Sequence, residues 1–309
     1  MSLAQRGHAI TSTLVATTIA AALTMTANNA FATGNPLSDA AGRRAQAEAQ
    51  HHTFNRAATR YEVETPTFSM TAVDKKSGNL YLYHPDGMGG FAPRYDVGVD
   101  FRHAAAVADV DNDKDGEFDG TWTFEKSGLL TYTWTQGDDS YTQSIGRGWQ
   151  HYGKVLSPGD IGGAEEADLV AVDRAGVMWR YLGYADGTLT ARSKVGGGWD
   201  QYTQIAGQGD LTGDGRSDIV ARDRAGVLWL YKGTGDQKAP FAQRTRIGGG
   251  WNAYNRILSV GDLDGDGRSD LVARADNGDL YRYSGNGNCS DPFDNRTKIG
   301  WGYNIYNLI

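Results

Sequence analysis

From about Pro66 to its last residue the chain repeats itself with a period near fifty residues. The phrases NLYLY (Asn79–Tyr83), LLTYTW (Leu129–Trp134), VMWRY (Val177–Tyr181), VLWLY (Val227–Tyr231) and DLYRY (Asp279–Tyr283) each follow a glycine after a polar turn. A second marker recurs in step as VGVDF, IGRGW, VGGGW, IGGGW and IGWGY, ending on Phe101, Trp149, Trp199, Trp251 and Tyr303. An aromatic stands three residues further on at Tyr152, Tyr202, Tyr254 and Tyr306. Either marker counts five units. A module of this size cannot bury its apolar face alone, so its copies must stack or close into a ring.

Each unit holds about four short β-branched and aromatic segments between Gly/Asp/Asn turns, with no helical periodicity. The expected fold is all-β, a β-propeller of five blades with about four strands each. A linear solenoid is the rival. The first unit starts at the strand Phe68–Val73 with no acidic loop before it, and the last ends at Asn304–Ile309, where the next acidic loop would begin. The last strand then stops where the first begins, and no polar end cap is visible, which favours the ring.

Acidic loops recur in phase with the units. In the fifth, DLDGDGRSD sets Asp262, Asp264, Asp266 and Asp270 at relative positions 1, 3, 5 and 9, with Gly267 at position 6. That spacing aims hard oxygen ligands at one centre and lets the chain turn sharply. The second loop offers Asp111, Asp113, Asp115 and Asp119, and the fourth Asp210, Thr212, Asp214 and Asp218. Position 7 would contribute the backbone carbonyl of Glu117, Arg216 or Arg268. Each carboxylate pair at about 4 Å costs roughly 4 kcal/mol at an effective dielectric near 20, a repulsion that Ca²⁺ removes. A plain Asp/Gly turn is the alternative for one copy; three copies in phase favour the ion. The third loop keeps Asp160 and Asp168 but has Gly162 and Ala164 inside, so it is expected to have lost the ion, with Glu165 and Glu166 solvated.

The segment MSLAQRGHAITSTLVATTIAAALTMTANNAFA has a positive start at Arg6, an apolar run from Ala9 to Met25 and an Ala-Phe-Ala close. It reads as a secretory signal peptide over residues 1–32, cut after Ala32, and not as a membrane anchor: the run is short, threonine-studded and lacks a basic stop-transfer cluster. Residues 33–65 are Ala/Gln/Arg-rich and unpatterned, a flexible or partly helical lead before the propeller at 66–309. The formal net charge is −7, and the leader carries no acid, so nucleic-acid binding is not expected. Cys289 is the only cysteine, so no internal disulfide forms; closed β topology and bound ions are the remaining sources of extracellular robustness.

The loops resemble the FG-GAP/VCBS repeat of secreted bacterial proteins, whose DxDGDGxxDL pattern is matched almost letter for letter by Asp262–Leu271. The resemblance covers most of the exported chain and implies a Ca²⁺-binding propeller, commonly seven-bladed. Five shorter units are a departure. The IGxGW and LWLY phrases are more similar to five-bladed tachylectin-type repeats, which implies one N-acetylated-sugar site per blade. The combination resembles proteins of actinobacterial type.

IGxGW has two readings. Structurally, its glycines turn the chain at a blade edge and its aromatic plugs the gap to the next blade. Functionally, Trp149, Tyr152, Trp199, Tyr202, Trp251 and Tyr254 offer flat faces to a pyranose ring beside a backbone that a ligand can approach. Phe101 and Tyr303 break the pattern in the first and fifth units. His84, His103 and His151, the histidines of the repeat region, have no partner at metal or triad spacing, and GxSxG and HExxH are absent. The expected function is therefore a secreted, non-enzymatic, Ca²⁺-stabilised lectin of cell-surface or wall glycans, gaining strength from several weak sites together. The alternatives are a protein-interaction subunit of a secreted complex, such as a toxin assembly, or a targeting module related to secreted hydrolases.

Overall fold

Each repeat supplies one antiparallel sheet, and the five sheets form a five-bladed β-propeller. The computed structural model describes residues 36–55 and 65–309; the leader over 1–32 lies outside the described residues. Among the described residues no helix is long and apolar enough to cross a membrane. After the helix α1 (Pro36–Asn55) come β1 (Met70–Asp74), β2 (Asn79–Tyr83) and β3 (Tyr95–Asp100) of blade one. Blade two is β4 (Ala104–Val110), β5 (Gly120–Glu125), β6 (Leu129–Gln136) and β7 (Asp139–Arg147). Blade three is β8 (Tyr152–Gly159), β9 (Asp168–Asp173), β10 (Met178–Tyr181) and β11 (Ser193–Gly196). Blade four is β12 (Tyr202–Ala206), β13 (Ile219–Asp223), β14 (Leu228–Tyr231) and β15 (Thr245–Gly248). Blade five is β16 (Tyr254–Gly261), β17 (Asp270–Ala275), β18 (Leu280–Tyr283) and β19 (Thr297–Gly300). The last strand, β20 (Tyr306–Leu308), joins blade one in the order β20-β1-β2-β3. Its register pairs Ala72 with Leu308 and Asp74 with Tyr306, so the ring is closed by backbone hydrogen bonds between distant parts of the chain. The five-bladed ring holds and the solenoid does not.

The second strand of a blade is covered on both faces, which is why it reads as an unbroken apolar run. Leu169–Val172, Ile219–Ala221 and Leu271–Ala273 are at most 1% exposed. The outer strands SKVG, TRIG and TKIG face solvent on one edge and are correspondingly polar. Apolar clusters fill the gaps between blades, and the marker aromatic sits in each. Trp199 packs with Val172 and Met178 of blade three and Ile219 and Ala221 of blade four. Trp251 does the same between blades four and five, Tyr303 between five and one, and Phe101 between one and two.

The glycine before each such aromatic explains the swing inward. Gly148, Gly198, Gly250 and Gly302 adopt φ of 97°, 85°, 91° and 83°, a left-handed conformation that costs only glycine nothing. A 3-10 turn follows directly and carries the ring between the sheets. The first unit has Asp100 in that place and no such turn, yet Phe101 still reaches full burial.

Helix α1 packs against β6 and β7 of blade two and β3 of blade one. Its contact face is made of small residues: Ala40, Ala41 and Ala45 are at most 2% exposed. Approach is so close that a Cβ on Gly42 would lie 2.5 Å from Ser140 Oγ. Arg44 and Glu48 lie on the same face and are fully buried.

Candidate functional site

The acidic loops join the innermost strand of a blade to the second strand, so all four emerge on one face of the ring. The ring-closing junction between β20 and β1 takes the place of a fifth. Within each loop the first and last carboxylates act as staples. Asp262 accepts hydrogen bonds from the backbone N–H of Gly265 (2.7 Å), Asp266 (3.1 Å) and Gly267 (2.7 Å). Asp270 accepts from Leu263 (3.0 Å) across its own loop and from Gly285 (2.9 Å). Asp111 and Asp210 repeat the first role, accepting from Gly116 (2.9 Å) and Gly215 (2.6 Å). Asp119 and Asp218 repeat the last, accepting from Asn112 (2.6 Å) and Thr212 (3.1 Å).

Burial in this cluster disfavours charge. It pushes Asp111 and Asp270 up to about 7 and Asp218 up to about 6, with neighbouring carboxylates adding to the shift. Asp119 and Asp262 move the same way for the same cause. Oxygens of Asp111, Asp113 and Asp115 lie within 4.8 Å of one another, as do those of Asp262, Asp264 and Asp270. Two position-3 oxygens, Asp264 Oδ1 and Thr212 Oγ1, are buried without a hydrogen-bond partner. Hard, crowded, orphaned oxygens fit a Ca²⁺ ion.

The loops differ in how far they are assembled. In the second, Glu117 donates its N–H to Asp115 (2.9 Å). In the fourth, the Lys232 ammonium lies 2.8 Å from Asp214 Oδ2, so a protein cation already meets that ligand; Arg216 lies alongside Gly233 and Gly235. In the fifth, Asp266 pairs with Arg268 at 3.0 Å and stands outside the close triad, while Asp264 Oδ2 receives Ser284 (2.8 Å) and Arg282 (3.1 Å). In the third, Lys114 reaches Asp160 at 2.9 Å and Asp168 is pushed up to about 7 by burial. Its inner positions offer no side-chain oxygen, and a lysine supplies the positive charge instead.

The aromatic set divides. Trp199, Tyr202, Trp251 and Tyr254 are 5%, 2%, 7% and 4% exposed and sealed between blades. Trp149 and Tyr152 are only half-buried, and they border an open pocket of about 870 Å³ between blades two and three. Polar residues including Ser144, Thr188, Thr190, Asp173 and Arg192 share its wall with apolar Ile145 and Leu189.

A repeated network beside these rings is legible only in retrospect. Arg192 donates to Tyr152 Oη (3.0 Å), and Tyr152 shares a hydrogen bond with Tyr181 (2.5 Å). The guanidinium lies 4.0 Å over Trp179, whose indole N–H donates to Asp173 (2.8 Å). Blade four repeats the set with Arg244, Tyr202, Tyr231, Trp229 and Asp223. Arg296 and Arg94 hold Tyr254 (2.5 Å) and Tyr306 (2.6 Å) in blades five and one. The sequence signal is an arginine four residues before the first glycine of the marker, with Thr142 in its place in the second unit. That threonine instead shares a hydrogen bond with Thr133 (3.0 Å).

Residues 210–273, from the fourth acidic loop through the fifth, match the FG-GAP-like repeat family. Together with the five blades, that match supports a repeat propeller of this type. No curated protein sequence matches the chain. Similar solved structures include BBS1N in complex with ARL6DN, soaked with lead, at 8% identity over 75% of this chain and 68% of that one, TM-score 0.37. A protein of unknown function from Bacteroides caccae is 8% identical over 76% of this chain and 73% of that one, TM-score 0.37. The Dos1 propeller is 9% identical, with 75% and 59% covered and a TM-score of 0.35.

Proposed function

We propose that this is a secreted, non-enzymatic propeller that binds carbohydrate, with Ca²⁺ holding its acidic loops. The observation that carries the reading is the open pocket at Trp149 and Tyr152. An aromatic wall offers a flat apolar face to a sugar ring, and the polar residues Thr188, Thr190, Asp173 and Arg192 line the same pocket. The sealed tryptophans of the later blades serve packing, so one principal site replaces the several suggested by the repeat. The second and fifth loops are the best Ca²⁺ sites, because each gathers three carboxylates and the fifth leaves a buried oxygen unsatisfied. The ion would hold loop geometry; the chain's own carboxylates already anchor the backbone around it. A glycan array with the exported chain in millimolar calcium tests the binding. Absence of any glycan signal, or a signal unchanged by Trp149→Ala, overturns it.

A second reading is a docking module for another protein. Its support is Trp301, 80% exposed at the marker position where other units carry valine, arginine or glycine, with Ile305 at 47% nearby. Recovery of a stoichiometric protein partner that is lost with Trp301→Ala would favour it.

A further inference from the structure

Two cations on the axial channel lack a direct ion pair among the described residues. Arg256 on β16 and Lys154 on β8 stand near the start of innermost strands, towards the 3-10 turns and away from the acidic loops. Both line a cavity of about 440 Å³ at the channel mouth. Arg256 Nε is buried without a hydrogen-bond partner. Burial, with Arg274 beside it, pushes its guanidinium down to about 10. Burial also lowers Lys154, against the pull of Asp200. No ion pair or hydrogen bond within the described residues answers either charge.

The wall is strongly net positive, one carboxylate against four cations. Glu125, the one carboxylate on the wall, accepts from Ser127 Oγ (2.8 Å), and Lys126 and Arg174 add two further positive charges. Those two are already committed to the backbone carbonyls of Arg102 and Gln150. Both side chains keep some exposure, but the Arg256 Nε–H is buried, and a buried donor left unpaired is costly unless an external group completes it. Guanidinium and ammonium groups together suit the oxygens of a phosphate, sulfate or carboxylate, the first as a planar fork and the second as a point charge.

We infer that this cavity is an oxyanion site, in which Arg256 and Lys154 take the charged oxygens of a small solute or an acidic sugar. It does not depend on the glycan reading. Trp149 and Tyr152 border both cavities, but Arg256 and Lys154 do not border the proposed glycan pocket.

The test is titration calorimetry and thermal melting with sodium sulfate and with glucose 6-phosphate. Sodium chloride at matched ionic strength and neutral glucose serve as controls. Saturable binding of either anion, with a raised Tm that chloride and glucose do not reproduce, is expected. Sulfate binding as tight as that of glucose 6-phosphate assigns a free oxyanion; tighter binding of the sugar phosphate assigns a sugar-borne one. Arg256→Met should weaken the anion at least about tenfold and raise Tm in anion-free buffer, because it removes a buried donor left unpaired. Lys154→Met should act in the same direction and serves if the arginine variant does not fold. No saturable binding, a response equalled by chloride, or affinity unchanged in both variants overturns the inference.

Discussion

Arg44 of α1 grips Asp109 of β4 with two parallel hydrogen bonds, Nη1 to Oδ1 at 2.8 Å and Nη2 to Oδ2 at 2.7 Å. The same guanidinium donates to Thr71 Oγ1 on β1, at 3.2 Å from Nε and 2.8 Å from Nη2. One side chain thus ties the helix to blades one and two together. Burial disfavours charge on both groups: it pushes the Asp109 carboxyl up even against the pull of Arg44, while the contact with Asp109 keeps the Arg44 guanidinium protonated.

Breaking that pair should be severe. Arg44→Met leaves Asp109 buried and unpaired, with an expected loss of about 3–5 kcal/mol in urea unfolding. Arg44→Met with Asp109→Leu should recover much of it, since no charge is then stranded. Equal losses in the single and double variants would mean the helix matters for packing alone.

Calcium should stabilise the ring by holding its second and fifth loops. Loops of this kind bind at about 10⁻⁴–10⁻³ M, so each ion adds on the order of 1 kcal/mol at millimolar calcium. EDTA should lower Tm, and Asp264→Ala should blunt that response more than Asp214→Ala: each carboxylate meets a protein cation, but Asp264 keeps a buried, unpartnered oxygen beside Asp262 and Asp270. A melting curve indifferent to EDTA would remove the ion from the description.

The acidic loops also set a pH dependence of definite sign. Asp111, Asp168 and Asp270 are raised to about 7 in the folded, metal-free chain and Asp218 to about 6. Their unfolded counterparts titrate near 4, so the folded state binds more protons between those values. Stability in EDTA should therefore fall as pH rises from about 4 to about 7. Calcium binds the ionised form and should flatten or reverse that slope, which urea midpoints at about pH 5 and about pH 7.5 would show.

The two tryptophan environments predict different phenotypes. Trp199→Ala empties a sealed inter-blade core and should cost about 3–5 kcal/mol. Trp149→Ala removes a half-exposed ring, so it should cost less stability while abolishing glycan binding. Chemical unfolding and the glycan array, run on both variants, separate the effects.

Closure of the ring rests on a short strand. Deleting Tyr306–Ile309 removes β20 and uncovers the inner edge of β1 at Ala72 and Val73. An exposed edge of that kind recruits other chains. The truncated protein should unfold at lower urea and run as oligomers on size exclusion.

Fold class, blade number and acidic-loop spacing were written in the chain itself, because a repeat forces every copy into the same local solution. NLYLY fills β2 residue for residue, and the apolar runs after each acidic loop become the twice-covered second strands. Exposure was not written there. Trp149, Trp199 and Trp251 occupy the same position in their units, yet the first is half-buried beside an open pocket while the other two are sealed between blades, a difference set by what the neighbouring blade places opposite. The helix lacks strand patterning and has a small-residue face, so nothing local announces that Arg44 meets Asp109 sixty-five residues away. That Arg256 and Lys154 lack a direct ion pair is likewise a property of the assembled channel. Sequence fixes which groups exist and their period; only the closed ring decides which of them lose water and which partner they find.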